Sequence, residues 1–158
     1  MKHRSPALLF PFLLLAGCGG ETENACGADT IVASDPWVRE AGPGHPMSAA
    51  YLSLCNGSET ADRLVSVSFS GADAAEIHTT TVDENNVARM RPLENGLTLP
   101  VGEAAVLAPG STHIMLMGLT EEITSDSEPT ITLNFQKAEP LTLTFEVRSK
   151  KDAGHSAH

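Results

Sequence analysis

The chain has 158 residues, with 10 Lys+Arg against 20 Asp+Glu and a formal net charge of −10. Its 41% hydrophobic and 19% charged residues make a globular composition, which excludes a disordered, collagen-like or coiled-coil chain. The length fits one domain, and the acidity argues against a nucleic-acid partner, because phosphate binding needs a basic face.

The first element is an export signal. Met1-Lys2-His3-Arg4 is a short basic segment, and Ala7 to Ala16 is an apolar run interrupted by Pro11. About 20 apolar residues are needed to span a bilayer, so this run is a secretory segment and not a membrane helix. It ends Leu15-Ala16-Gly17-Cys18, which resembles a bacterial lipoprotein signal. That resemblance implies cleavage after residue 17 and a lipid on Cys18; an ordinary signal peptide with an incidental cysteine is the alternative. Gly19 at the next position, in place of Asp, points by analogy with lipoprotein sorting to the outer membrane of a Gram-negative bacterium. Localisation is then periplasmic and lipid-anchored. Residues 18–29 are small and polar and are expected to form a flexible tether.

Lipidation of Cys18 leaves Cys26 and Cys55. An exported compartment is oxidising, so a disulfide between them is expected. A redox-active or metal-binding pair is the alternative, weakened because no C-x-x-C motif is present.

The body, residues 30–149, reads as short strands. Period-2 patterns predict strands over Thr30–Arg39, Ala49–Asn56, Arg63–Ser70, Ala75–Val82, Val87–Leu93, Ala104–Leu107, His113–Leu119, Thr130–Gln136 and Leu141–Arg148. Asn56-Gly57, Asn95-Gly96 and Pro109-Gly110 punctuate them, and residues 71–75 have room for one helical turn at most. Many short strands predict an all-β, antiparallel sandwich or Greek-key barrel. Residues 150–158 form a flexible tail ending in His155 and His158.

Within this body four soft donors stand out: His78, Met90, His113 and Met115. In His113-Ile114-Met115 the residues i and i+2 share a face about 7 Å apart, with Ile114 and Leu116 turned to the core and Met117 continuing the outer face. Asp83-Glu84-Asn85-Asn86 is a polar turn, so residues 75–93 predict a hairpin. Pairing His78 directly with Met90 would bring their Cβ atoms to about 4.5–5.5 Å, and a slip of one residue would separate them. Two imidazoles and two neutral thioethers select Cu(I) over Zn(II), Mg(II) or Ca(II). A solvated His and a core-packed Met are the plain alternative for each residue taken alone. Accessory candidates are His45 and Met47 in the loop before the second strand, Met117, and the tail histidines His155 and His158, which suit Cu(II).

Three stretches carry a family resemblance: Glu76-Ile77-His78; Val87-Ala88-Arg89-Met90-Arg91-Pro92; and Leu107 through Leu119 with its His113-Ile114-Met115 unit. With Trp37-Val38-Arg39 and Ala49-Ala50-Tyr51-Leu52-Ser53-Leu54 upstream, the chain resembles the periplasmic copper chaperone family, the PCu(A)C domain, over roughly residues 30–148. Here 11 residues separate His78 from Met90 and 22 separate Met90 from His113, each gap one longer than in the family's motif. The resemblance implies a cupredoxin-like β-barrel that holds Cu(I) through His78, Met90, His113 and Met115. It also implies delivery of copper to respiratory oxidase assembly, at the CuA centre of cytochrome c oxidase subunit II, with no catalysis and as a monomer.

Competing classes are separable. An electron-transfer cupredoxin needs a Cys thiolate with two His and a weak axial Met, and Cys55 is followed by Asn56-Gly57-Ser58 with no such ligand nearby. A thiol-disulfide oxidoreductase needs an accessible low-pKa thiol. A structural or copper-sequestering lipoprotein domain needs neither. No G-x-S-x-G, H-E-x-x-H or P-loop pattern supports a hydrolase.

Overall fold

The computed structural model describes residues 26–149. The signal segment, Cys18, most of the tether, His155 and His158 lie outside the described residues. Eleven strands follow in order: β1 (Ile31–Arg39), β2 (Met47–Asn56), β3 (Asp62–Phe69), β4 (Ala72–Val82), β5 (Ala88–Pro92), β6 (Leu97–Leu99), β7 (Ala104–Leu107), β8 (His113–Leu119), β9 (Thr130–Phe135), β10 (Leu141–Thr144) and β11 (Glu146–Arg148). No helix occurs among the described residues, and residues 72–75 belong to β4, not to a helical turn.

Two sheets form a sandwich. One has seven strands in the order β11-β1-β2-β8-β4-β5, with β7 also pairing β2; the other runs β10-β9-β3-β6. The expected all-β antiparallel architecture holds, with one parallel pair, β1 with β11. Strand alternation builds the core between the sheets. Ile131, Leu133 and Phe135 face inward from β9, and Ile114 and Leu116 from β8, with Phe145 buried in the same cluster. The predicted strand 141–148 is divided at Phe145: its N–H still bonds the Pro129 carbonyl at 2.9 Å in the β9–β10 register, but Pro129 has no N–H to return the bond, and from Glu146 the chain pairs with β1 instead.

Two bulges switch which face a strand shows to the core. In β3 the register shifts between Leu64 and Ser66, so inward positions change from Asp62 and Leu64 to Val67 and Phe69. In β1 it shifts between Ser34 and Trp37. Ile31 and Ala33 pack against the core before the shift and Val38 after it, which turns Trp37 and Arg39 outward. Asp35 at this bulge has φ 49°, a left-handed conformation that Asp tolerates better than most residues. Its carboxylate is held by Arg148 of β11.

Cys26 and Cys55 form a disulfide with Cα atoms 5.4 Å apart, tying the start of the domain to the end of β2. The chain passes so close here that a Cβ on residue 57 would collide with the Ala28 carbonyl, which explains Gly57. Asn56 is fully buried beside it, donating to the Leu99 carbonyl at 2.8 Å and the Thr60 carbonyl at 3.0 Å.

Candidate metal centre

The outward face of the large sheet carries the soft donors. On β8, Ile114 and Leu116 take the core side, leaving His113, Met115 and Met117 on the other. Neighbouring strands deliver their own residues to that face through register. Ala49 of β2 opposes Met115, and Met47 opposes Met117. On β4, His78 opposes His113 and Glu76 opposes Met115.

A row of rings crosses four adjacent strands. Trp37 and Tyr51 have centroids 4.2 Å apart, Tyr51 and His113 6.3 Å, and His113 and His78 6.1 Å. The last spacing leaves room for one ion about 2 Å from a nitrogen of each imidazole. His113 Nδ1 lies 2.9 Å from the Ser111 carbonyl. A carbonyl only accepts, so Nδ1 carries the proton and Nε2 keeps a free lone pair, the usual way a ligating imidazole is oriented. His78 Nε2 lies 3.0 Å from Glu76 Oε2 and donates to it, leaving Nδ1 as the free nitrogen.

Beside His113 opens a cavity of about 310 Å³. Three thioethers, Met47, Met90 and Met115, line it with His113, and Arg39 and Tyr51 form part of its wall. His78 does not line the cavity but stands next to it across from His113. Met117 shares the face, against Met47 and Ala74, without lining the cavity. His45 lies elsewhere, with Gly42, Gly44, Glu121 and Glu122 around a separate depression, so the structure parts it from Met47.

The hairpin register needs correction. His78 opposes Pro92, and Met90 opposes Thr80. The β4–β5 turn is longer than a direct His78–Met90 pairing allows. Asp83 accepts from the Asn85 and Val87 N–H groups at 3.0 Å each, and Asn86 takes a left-handed φ of 63°. A shift of two residues preserves the face, so Met90 still looks toward His113, from a position nearer the hairpin tip. The three backbone and side-chain donors on Asp83, Val87 N–H first, hold its carboxyl below the usual range.

Arg39, Tyr51, Thr80 and Glu76 belong to this site and were not singled out as site residues from sequence. Strand alternation pairs Trp37 with Arg39, but the β1 bulge that aims them outward has no sequence signal beyond Asp35. Among the described residues no group of three His, Cys, Asp or Glu is gathered for a metal.

The LpqE-like family model matches residues 31–147. Lxx21020 of Leifsonia xyli subsp. xyli (strain CTCB07), named as a lipoprotein, is 30% identical over 129 residues, covering 82% of this chain and 76% of that protein. The copper-bound PCuAC domain from PmoF2 is similar with a TM-score of 0.63 at 22% identity, over 76% of this chain and 93% of that domain. Apo-DR1885 from Deinococcus radiodurans gives 0.59 at 25% identity over 96% of this chain and 99% of that one. The same protein as CuI-DR1885 gives 0.61 at 25% identity, over 77% and 79%. From sequence match and shared architecture together, the chain belongs to the LpqE-like family and has the cupredoxin-like fold of PCuAC domains.

Proposed function

We propose that this chain is an exported copper chaperone, lipid-anchored through Cys18, that binds Cu(I) and passes it to a protein acceptor. The observation that carries this reading is the convergence of His113, Met115, Met90 and Met47 on one cavity with His78 at 6.1 Å between ring centres. His78, Met90, His113 and Met115 are the ligand set, with Met47 as an additional thioether at the rim. Neutral thioethers suit Cu(I) and bind it less tightly than thiolates, which fits an ion that must be released. Both cysteines of the domain are in a disulfide, so neither serves as the thiolate of a blue-copper centre. The copper-bound PmoF2 domain and CuI-DR1885 support the choice of metal.

Transfer follows from exposure. His113 is 5% exposed while Met90 is 60% exposed. The buried imidazole anchors the ion, and the exposed thioether of the edge strand β5 yields its place to an incoming acceptor ligand. The family resemblance makes a respiratory oxidase copper centre, such as that of cytochrome c oxidase subunit II, the acceptor. Competition titration with a Cu(I) chelator under reducing conditions tests the binding step. His113→Ala and Met115→Ala are each expected to weaken Cu(I) binding at least tenfold; affinities equal to wild type would contradict the reading.

A further inference from the structure

We propose that Arg39 sets the oxidation-state preference of this centre, its uncompensated guanidinium favouring Cu(I) over Cu(II). The inference rests on the copper reading above and adds a residue to it.

Arg39 stands in the wall of the cavity that His113, Met115 and Met90 line. Its NH2 donates to the Tyr51 hydroxyl at 2.9 Å, and its guanidinium carbon lies 5.9 Å from the Tyr51 ring centre. Its Nε is buried without a hydrogen-bond partner. The contrast with nearby arginines is informative. Arg148, over Trp37 in the same row, is paired with Asp35 and Glu146, and Arg89 is paired with Asp83. Among the described residues Arg39 has no carboxylate within ion-pair distance, in a chain whose acids outnumber its bases 20 to 10. Its charge therefore acts on the cavity without a counter-ion.

A fixed cation repels a bound ion in proportion to that ion's charge, so Cu(II) pays twice what Cu(I) pays. The guanidinium reaches the ligands through one ring, since Tyr51 lies 6.3 Å from His113. At roughly 10 Å and an effective dielectric constant of about 20, the extra charge of Cu(II) costs about a tenfold factor in affinity. Glu76, beside His78 on the opposite side, has the opposite sign, but its side chain is 47% exposed and is screened by solvent. Arg39 is thus the dominant charge from within the cavity wall.

The test uses the full chain and measures Cu(I) and Cu(II) dissociation constants by chelator competition. For Arg39→Gln the ratio of Cu(I) to Cu(II) affinity is expected to fall about tenfold, a drop in reduction potential of about 59 mV for one electron. The shift should come from tighter Cu(II) binding, whereas a merely structural role would weaken both ions together. Arg39→Lys keeps the charge and should stay within about twofold of wild type. Should the Gln variant fail to fold, raising ionic strength on wild type serves instead. Screening of Arg39 lowers the ratio, whereas dominance of the overall acidic charge raises it. An unchanged or raised ratio in either experiment overturns the proposal and leaves the copper reading intact. No binding of either ion by wild type would overturn that reading and this one with it.

Discussion

His113 shows how one side chain can serve the framework and also stand as a proposed ligand. Its ring is buried, its Nδ1–H is used by the Ser111 carbonyl, and its Nε2 is left to the cavity. Met90 is its opposite, an exposed side chain on an edge strand with little packing to lose. Met90→Ala is therefore expected to leave folding stability within about 0.5 kcal/mol of wild type. Its Cu(I) affinity should fall about tenfold. Chemical denaturation and chelator titration of the same variant read the two effects separately. Trp37→Ala should behave in the reverse sense. Removing a buried aromatic stacked on Tyr51 costs about 3–5 kcal/mol. It leaves the sulfur donors in place. The soft donors were legible because each is a distinctive residue on an alternating strand. Arg39 and Tyr51 were not, because what makes them part of the site is which strands neighbour β8.

At the scale of elements, the β4–β5 hairpin decides where Met90 sits. A turn signal was readable in Asp83-Glu84-Asn85-Asn86, yet its length was not. The two backbone groups bonded to the Asp83 carboxylate and the left-handed Asn86 set the register two residues away from a direct His78–Met90 pair. Asp83→Ala should free this turn. Amide exchange at Asn85 and Val87 should speed up, and Cu(I) affinity should fall a few-fold as Met90 loses its fixed position; unchanged exchange would contradict the role given to Asp83. The β1 bulge is the second element-scale device. Without the shift between Ser34 and Trp37, strict alternation would put Trp37 and Arg39 in phase with Ile31 and Ala33, on the core side. Strand β6 escaped notice because Leu97-Thr98-Leu99 is too short for a period to show, and β11 was read as the end of one strand, Leu141–Arg148, because its parallel partner is far away in the sequence.

For the whole molecule, the sandwich carries the site and two ties hold the sandwich. The disulfide closes a loop across a sequence separation of 29 residues. Replacing Cys26 and Cys55 by Ser is expected to cost roughly 3–4 kcal/mol. Cu(I) affinity should be unchanged, since the bridge lies at the far end of β2 from Met47. Asp62 is the second tie, accepting from the backbone N–H groups of Arg63, Lys137 and Ala138. Burial pushes its carboxyl upward, but these donors outweigh it and the net shift is downward. A lowered folded-state pKa adds stability above the unfolded value, near 3.9, that is lost as pH falls through the folded value. Acid unfolding of Asp62→Asn should accordingly depend less on pH below about 4 than that of wild type. The all-β class was legible from alternation and turn residues spread along the whole chain. The sheet order, which places β8 between β2 and β4, was not, because register between distant strands leaves no local pattern. That order is what gathers donors from three separate stretches of sequence, and it yields the account's central claim, a copper centre of mixed sulfur and nitrogen ligation. X-ray absorption at the copper edge of the Cu(I)-loaded protein tests it most directly. The account predicts a shell of thioether sulfur together with imidazole nitrogen, losing sulfur in Met115→Ala and nitrogen in His113→Ala. A shell of nitrogen and oxygen alone would contradict it.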